Sequence, residues 1–202
     1  RARYDGPYTP PELGRHNIEY PGYNGGSDWG SVAVDPHRGV IIANYNDMPN
    51  YNMLVTRNEA DAMGLYPAGD PRAAGGGSSA EGAGAQTGTP YGILVNAGWQ
   101  MPTGVLCTRP PYGGIRAIDL ATGKTVWDRP FGSARRNGPF GIPTFLPLEI
   151  GTPNNGGPVV TAGGLIFIGA TTEKFLRAFD AQSGEEIWSQ RLPYTANATP
   201  IS

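Results

Sequence analysis

One short pattern occurs twice in this chain and limits what it can fold into. Ile115 to Arg129 reads IRAIDLATGKTVWDR, and Leu176 to Gln190 reads LRAFDAQSGEEIWSQ. Both contain Ala-x-Asp-x-x-(Thr/Ser)-Gly-x-x-x-Trp: Ala117, Asp119, Thr122, Gly123 and Trp127, then Ala178, Asp180, Ser183, Gly184 and Trp188. The pattern predicts a β-hairpin. The Asp side chain caps the turn and Gly supplies a positive φ that other residues resist. A Trp on the outer strand has about 150–250 Å² to bury, more than a lone hairpin can cover. It needs a neighbouring unit, and the small Ala on the preceding strand leaves room for a neighbour's ring.

The stretch before the second copy, GGPVVTAGGLIFIGATTEKF from Gly156 to Phe175, alternates and breaks at Ala162-Gly163-Gly164. It reads as two strands joined by a turn. With the hairpin that follows, this makes a four-stranded antiparallel unit about the size of a propeller blade. A worn third copy, VAVDPHRGVIIAN, keeps Ala33, Asp35 and Gly39 but has Ala43 in place of Trp. The fold expected is all-β: a partial β-propeller of about three four-stranded antiparallel blades. The copies present imply further ones, so the chain is read as a piece of a longer protein.

Between the worn copy and the first full one lies a long inter-blade excursion over 44–112. Its middle, 67–88, is Gly-rich and of low complexity, and is expected to be a flexible surface loop. No strand precedes its glycines and no Lys-Ser/Thr follows them, so it is not a phosphate loop. Only TRNEADAMGL, Thr56 to Leu65, has the look of a short helix.

Composition narrows the function. The net charge is −2 and the 15 Lys and Arg are scattered, so no basic stripe speaks for nucleic acid. No apolar run approaches the roughly 18–20 residues of a membrane span. Cys107 is the only cysteine; its setting suits packing against Pro110 and Pro111 better than chemistry. His16 and His37 have no spaced carboxylate or thiol partner, so neither suggests a metal site. No Ser or Cys nucleophile motif is present.

The docking-type repeat resembles the tryptophan-docking motif of the quinoprotein alcohol dehydrogenases. The likeness extends through YDGPYTPP, GGSDWGSVAVDP, GTPYGI, CTRPPYGGIRAIDLATGKTVW, GTPNNGGPVVTAGGLIFIGAT, FLRAFDAQSGEEIW and RLPYTANATPIS. Together these resemble the C-terminal part of the membrane-bound glucose, quinate and polyol dehydrogenases that use pyrroloquinoline quinone (PQQ). The resemblance implies an eight-bladed propeller holding PQQ near its axis with Ca²⁺ or Mg²⁺ beside it. It also implies oxidation of a sugar, cyclic polyol or hydroxy acid, with electrons passed to ubiquinone. The parent protein would sit on the periplasmic side of the bacterial inner membrane, anchored by an N-terminal region not in this chain. The family's catalytic residues and metal ligands would come from upstream of Arg1, and the chain alone is expected to be inactive.

Two stretches are expected to face the cofactor. The family's Gly-x-Asn-Trp element corresponds to GSDW, which puts Asp28 in the Asn place with Trp29 after it. The Trp-Gly-Gly element corresponds to NNGG, which places Asn155 at the contact position, with Asn154 beside it and Gly156 after it. Asn offers both a donor and an acceptor, suited to a quinone that becomes a quinol. Asn154 and Asn155 equally suit a tight turn before a strand, and Asp28 a turn cap. The rival reading is a non-enzymatic propeller of the same repeat, acting as an assembly scaffold without a cofactor.

Overall fold

A computed structural model describes residues 1–73 and 83–200. The strands are β1 (Asn17–Glu19), β2 (Val32–Asp35), β3 (Val40–Asn46), β4 (Asn50–Thr56), β5 (Ala83–Gly84), β6 (Tyr91–Ala97), β7 (Gly113–Asp119), β8 (Thr125–Pro130), β9 (Val159–Val160), β10 (Leu165–Ile168), β11 (Phe175–Asp180) and β12 (Glu186–Arg191). They form three four-stranded sheets, ordered β1-β4-β6-β5, β2-β3-β7-β8 and β12-β11-β10-β9. Every pairing between these strands is antiparallel. The chain divides into two compact units, Arg1–Asn24 with Met48–Met101, and Gly25–Asp47 with Pro102–Ser202.

The expected partial propeller of four-stranded sheets is present, but its hairpins are shared out differently. The worn copy forms the β2–β3 hairpin, and β3 pairs along its length with β7, from Val40↔Asp119 to Asn46↔Gly113. The worn copy and the first full copy are therefore two halves of one sheet. The excursion at 44–112 interrupts that sheet between its second and third strands instead of joining two blades.

Within the second unit the two full copies are built alike, bond for bond. Asp119 Oδ1 accepts from Ala121 N, Thr122 N and Thr122 Oγ1 at 3.0, 2.7 and 2.8 Å. Asp180 Oδ1 accepts from Gln182 N, Ser183 N and Ser183 Oγ at 3.0, 2.8 and 3.0 Å. Each hairpin carries a register shift at the same point, between Ala117 and Ile118 and between Ala178 and Phe179. Alternate residues of β3, β7, β10 and β11 point between the two sheets. Ile42, Ile115, Ile166 and Ile168 are fully buried there, and Phe131 meets Phe179 edge-on at 5.8 Å.

Trp127 does what the sequence asked of it. It is buried, and its indole Nε1 donates to Ala181 O of the next sheet at 3.0 Å. Its ring lies on Gly184, where a Cβ would fall 2.5 Å from Trp127 Cε3. Gly184 has φ +70°, so this glycine serves the turn and the neighbour's ring together. Trp188 holds the same place on β12 but is 46% exposed. No further sheet of the unit follows β12 among the described residues.

The first unit joins Arg1–Asn24 to the larger part of the excursion, Met48–Met101. The helix α1 (Arg57–Ala62) starts where the sequence predicts, with a reciprocal capping box between Thr56 and Glu59. Ala60 packs with Val55 and Leu65 beneath it. His16, Tyr51 and Trp99 stack in parallel, with centroids 4.3 and 5.6 Å apart. Residues 74–82 of the Gly-rich stretch lie outside the described residues, while Ala83 and Gly84 pair with Leu94 and Ile93 as β5.

Candidate functional site

Strand β3 organises the site. Its inward positions run Val40, Ile42, Asn44, Asn46, so an apolar row turns polar at one end while staying buried. The backbone of that polar end holds the loop of GGSDWG. Gly26 and Asn46 exchange N–H···O bonds at 2.7 and 2.8 Å, and Ser27 Oγ donates to Asn44 O at 2.9 Å.

The side chains of the same two residues hold the NNGG segment. Asn44 Nδ2 donates to Asn154 Oδ1 at 2.6 Å and to Gly156 O at 2.9 Å. Asn46 Nδ2 donates to Asn154 O at 3.0 Å, and Asn46 Oδ1 accepts from Asn154 N at 2.9 Å. Asn154 Nδ2 in turn donates to Tyr45 O at 3.2 Å and Thr152 O at 3.0 Å. Asn154 is 2% exposed with both amide protons engaged, so its side chain ties two segments together and presents nothing outward. Asn155 is the opposite case: it is half-buried, and its amide makes no hydrogen bond to a described residue.

The two loops then meet backbone to backbone. A Cβ on Gly30 would lie 2.3 Å from both Asn155 O and Gly157 N, and one on Gly157 would lie 1.8 Å from Gly30 O. Only glycine at both positions permits that approach. A third segment joins them, with Thr199 Oγ1 donating to Gly30 O at 2.9 Å and a Cβ on Gly156 falling 3.1 Å from Ala198 O. Asp28, half-buried, accepts from Trp29 N through Oδ1 at 2.7 Å and so caps its own turn. Its second oxygen makes no hydrogen bond to a described residue. Trp29 stands 65% exposed beside it.

Sequence reading named five residues here, and the structure brings Asp28, Trp29, Asn154, Asn155 and Gly156 into one neighbourhood. It missed Asn44 and Asn46. Their signal was legible as asparagines at the two positions that continue the inward alternation of Val40 and Ile42.

A separate cleft of about 680 Å³ opens between the two sheets, lined among others by Ser133, Arg135, Glu149, Glu173, Phe175 and Arg177. A buried ion pair braces it, Arg177 to Glu173 at 2.7 Å. Glu173 also accepts from Ser133 N at 2.9 Å and Ser133 Oγ at 2.7 Å. Arg177 donates to Thr171 Oγ1 at 2.8 Å. Arg177 Nε also reaches Glu186 at 3.1 Å, and the network fastens the segment after β8 to the β10–β11 turn.

The whole chain, residues 1–202, matches the family model described as PQQ: Glucose/ethanol/alcohol dehydrogenase, beta-propeller domain. It is 56% identical to the glycerol dehydrogenase large subunit of Gluconobacter thailandicus, covering 100% of this chain and 27% of that protein. It is 37% identical to the quinoprotein glucose dehydrogenase of Escherichia coli, covering 100% of this chain and 24% of that protein. Among solved structures, a europium-containing methanol dehydrogenase superposes over 94% of this chain and 24% of that one, with a TM-score of 0.56 and 25% identity. The chain thus spans about a quarter of the length of the curated relatives it matches. Its sheets, its converging loops and its match from end to end place it in the β-propeller domain family of the PQQ-dependent glucose, ethanol and alcohol dehydrogenases.

Proposed function

We propose that this chain supplies one wall of the PQQ site in a dehydrogenase that oxidises a CH–OH group of a polyol or sugar. The observation that carries the reading is the convergence of GSDWG and NNGG on β3, with Gly30 against the Asn155–Gly157 backbone, Trp29 exposed and Asn155 half-buried. A scaffold propeller needs the sheets, but it has no use for this convergence.

The residues fit the cofactor's chemistry. Trp29 offers an apolar ring face to a flat fused-ring quinone. The unpartnered amide of Asn155 can donate to a quinone oxygen and accept from a quinol hydroxyl. Asn154 and Gly156 hold Asn155 in place and stay out of contact. When bound, PQQ takes up the two electrons of the alcohol and becomes a quinol. Asp28, with one oxygen fixed to Trp29 N–H, keeps the other free to accept a hydrogen bond from a substrate hydroxyl. The 56% identity to a glycerol dehydrogenase large subunit supports a polyol ahead of a hydroxy acid. The rest of the reading is a Ca²⁺ or Mg²⁺ held by residues outside this chain, ubiquinone as acceptor, and a periplasmic site on an N-terminally anchored parent.

The test uses the full-length polypeptide loaded with PQQ and a dye acceptor, assayed on glycerol, glucose and quinate. PQQ-dependent oxidation of glycerol is expected. Asn155→Ala should raise the PQQ concentration required, and Asp28→Asn should keep that requirement while changing the kcat/KM ratio among substrates. Unchanged ratios would leave Asp28 as a turn cap alone. Absence of PQQ-dependent oxidation of all three substrates would overturn the reading.

A further inference from the structure

The sheet of the first unit has a buried polar patch where β1 and β4 meet. Asn17 pairs with Asn52 and Glu19 with Asn50, so all four side chains stand on one face of the sheet. Tyr51 and its stack lie on the other. Directly opposed residues bring their Cβ atoms to about 4.5–5.5 Å. Asn17, Asn50 and Asn52 are 1, 1 and 6% exposed. Asparagine is a poor strand former, and three of them at buried strand positions go against local preference, as happens at functional sites. The unit encloses these side chains itself, so their burial holds whatever lies around it.

Their hydrogen bonds leave a specific deficit. Asn50 Nδ2 and Asn52 Nδ2 both donate to Glu19 Oε2, at 3.0 and 3.1 Å. Asn50 Oδ1 accepts from Gly98 N at 3.4 Å, and Asn17 Nδ2 donates to Thr9 O at 3.4 Å. Asn17 Oδ1 and Asn52 Oδ1 are buried with no hydrogen-bond partner among the described residues. Glu19, half-buried, forms no ion pair with a described residue, and its charge is met by the two amides alone. Arg3, the neighbour of Asn17 on its other side, gives its guanidinium to Asp5 and Glu12.

The patch is short of positive charge. Two orphaned carbonyl oxygens are costly in a buried place, and so is a carboxylate without a cation. A water can donate to both carbonyls, but it leaves the carboxylate uncompensated. A hard cation answers all three, and a ligand set made only of oxygens selects one. Mg²⁺ demands a near-ideal octahedron and keeps its waters, whereas Ca²⁺ accepts irregular sets of carboxylate and amide oxygens. We propose that Asn17 Oδ1, Asn52 Oδ1 and the Glu19 carboxylate form a Ca²⁺ site that ties β1 to β4. A single charged ligand puts its affinity in the weak class, about 10⁻⁴–10⁻³ M. The proposal does not rest on the cofactor reading.

The test uses the full-length polypeptide, freed of metal by a chelator and without PQQ, and follows its melting temperature against Ca²⁺ at constant ionic strength. An ion that binds only the folded state raises the melting temperature as its concentration rises. Glu19→Gln keeps the size and an acceptor for the two amides but removes the charge, so its rise should be smaller than that of the wild type. Asn17→Asp adds a second charged ligand. It should melt lower than the wild type without Ca²⁺, and its rise should set in at about tenfold lower Ca²⁺. Equal rises in the wild type and Glu19→Gln would overturn the proposal, because the response would then belong to another site. So would an Asn17→Asp variant that melts lower and is not restored by Ca²⁺, which would leave the patch as polar packing alone. If Glu19→Gln does not fold, Asn17→Asp decides by itself.

Discussion

Removing the Trp127 ring should open the seam between the two repeat sheets. The side chain is 7% exposed, rests on Gly184 and donates to Ala181 O. Truncating a buried aromatic costs about 3–5 kcal/mol. Leaving the Ala181 carbonyl bare adds about 1–3 kcal/mol unless water reaches it. Trp127→Ala should therefore lie near the top of that range, at about 4–5 kcal/mol. Trp127→Phe keeps most of the area and loses the hydrogen bond, so about 1–2 kcal/mol is expected. Trp188→Ala, at a half-exposed ring, should cost less than about 1 kcal/mol in this chain. Gly184→Ala would place a methyl inside the Trp127 ring, so its penalty should shrink sharply in the Trp127→Ala background, where only the positive-φ strain remains. Urea unfolding followed by far-UV circular dichroism measures all five variants, free of the change in tryptophan count. Equal and small losses for Trp127→Ala and Trp188→Ala would refute the reasoning, because burial would then have no bearing on the repeat's Trp.

Asn154→Ala removes one of the two acceptors of the buried Asn44 amide, the other being Gly156 O, and the amide that donates to the carbonyls of Tyr45 and Thr152, so about 2–3 kcal/mol should be lost; Asn155→Ala next to it should cost no more than about 0.5 kcal/mol, both read by the same unfolding assay. Glu173→Ala leaves buried Arg177 with only the half-exposed Glu186, 3.1 Å away, as a carboxylate partner, so a loss below the about 3–5 kcal/mol of a fully unpaired buried charge is expected, measured as a fall in the urea midpoint. Burial raises the Asp35 carboxyl, but the Arg38 guanidinium and the N–H groups of His37 and Arg38 outweigh it and hold the group below its ordinary value. The folded state then gains from ionised Asp35 above the usual carboxylate pKa of about 4 and loses that gain as pH falls below it. Asp35→Asn should flatten the acid side of a melting-temperature against pH curve, and an unchanged slope would mean the Arg38 pair contributes nothing.

Local chemistry was legible wherever neighbours in sequence are neighbours in space. The Asp-x-x-(Thr/Ser)-Gly turns, the capping box at Thr56 and Glu59, and the break at Ala162-Gly163-Gly164 all follow from side chains acting within a few residues. The loop elements around the candidate site were legible too, as GSDWG and NNGG, because close backbone approach leaves glycines in the sequence. The roles of two neighbouring asparagines were not. Asn154 and Asn155 look alike as letters, yet one is spent on bonds to β3 and the other is free. Only the partners' positions separate them.

By itself, then, the sequence determined the kind of unit: four antiparallel strands, closed by capped turns and sealed by a tryptophan that needs a neighbour. Tertiary structure alone decided which hairpins share a sheet. β3 and β7 lie on either side of the long excursion, and a hydrogen-bonded register is settled by matching faces and edges across space, with no trace in local spacing. It also decided that Trp127 is sealed while Trp188 is half-exposed. The motif is the same in both, and the difference is whether another sheet stands within reach of the ring, since burial is a property of what surrounds a side chain and not of the side chain itself.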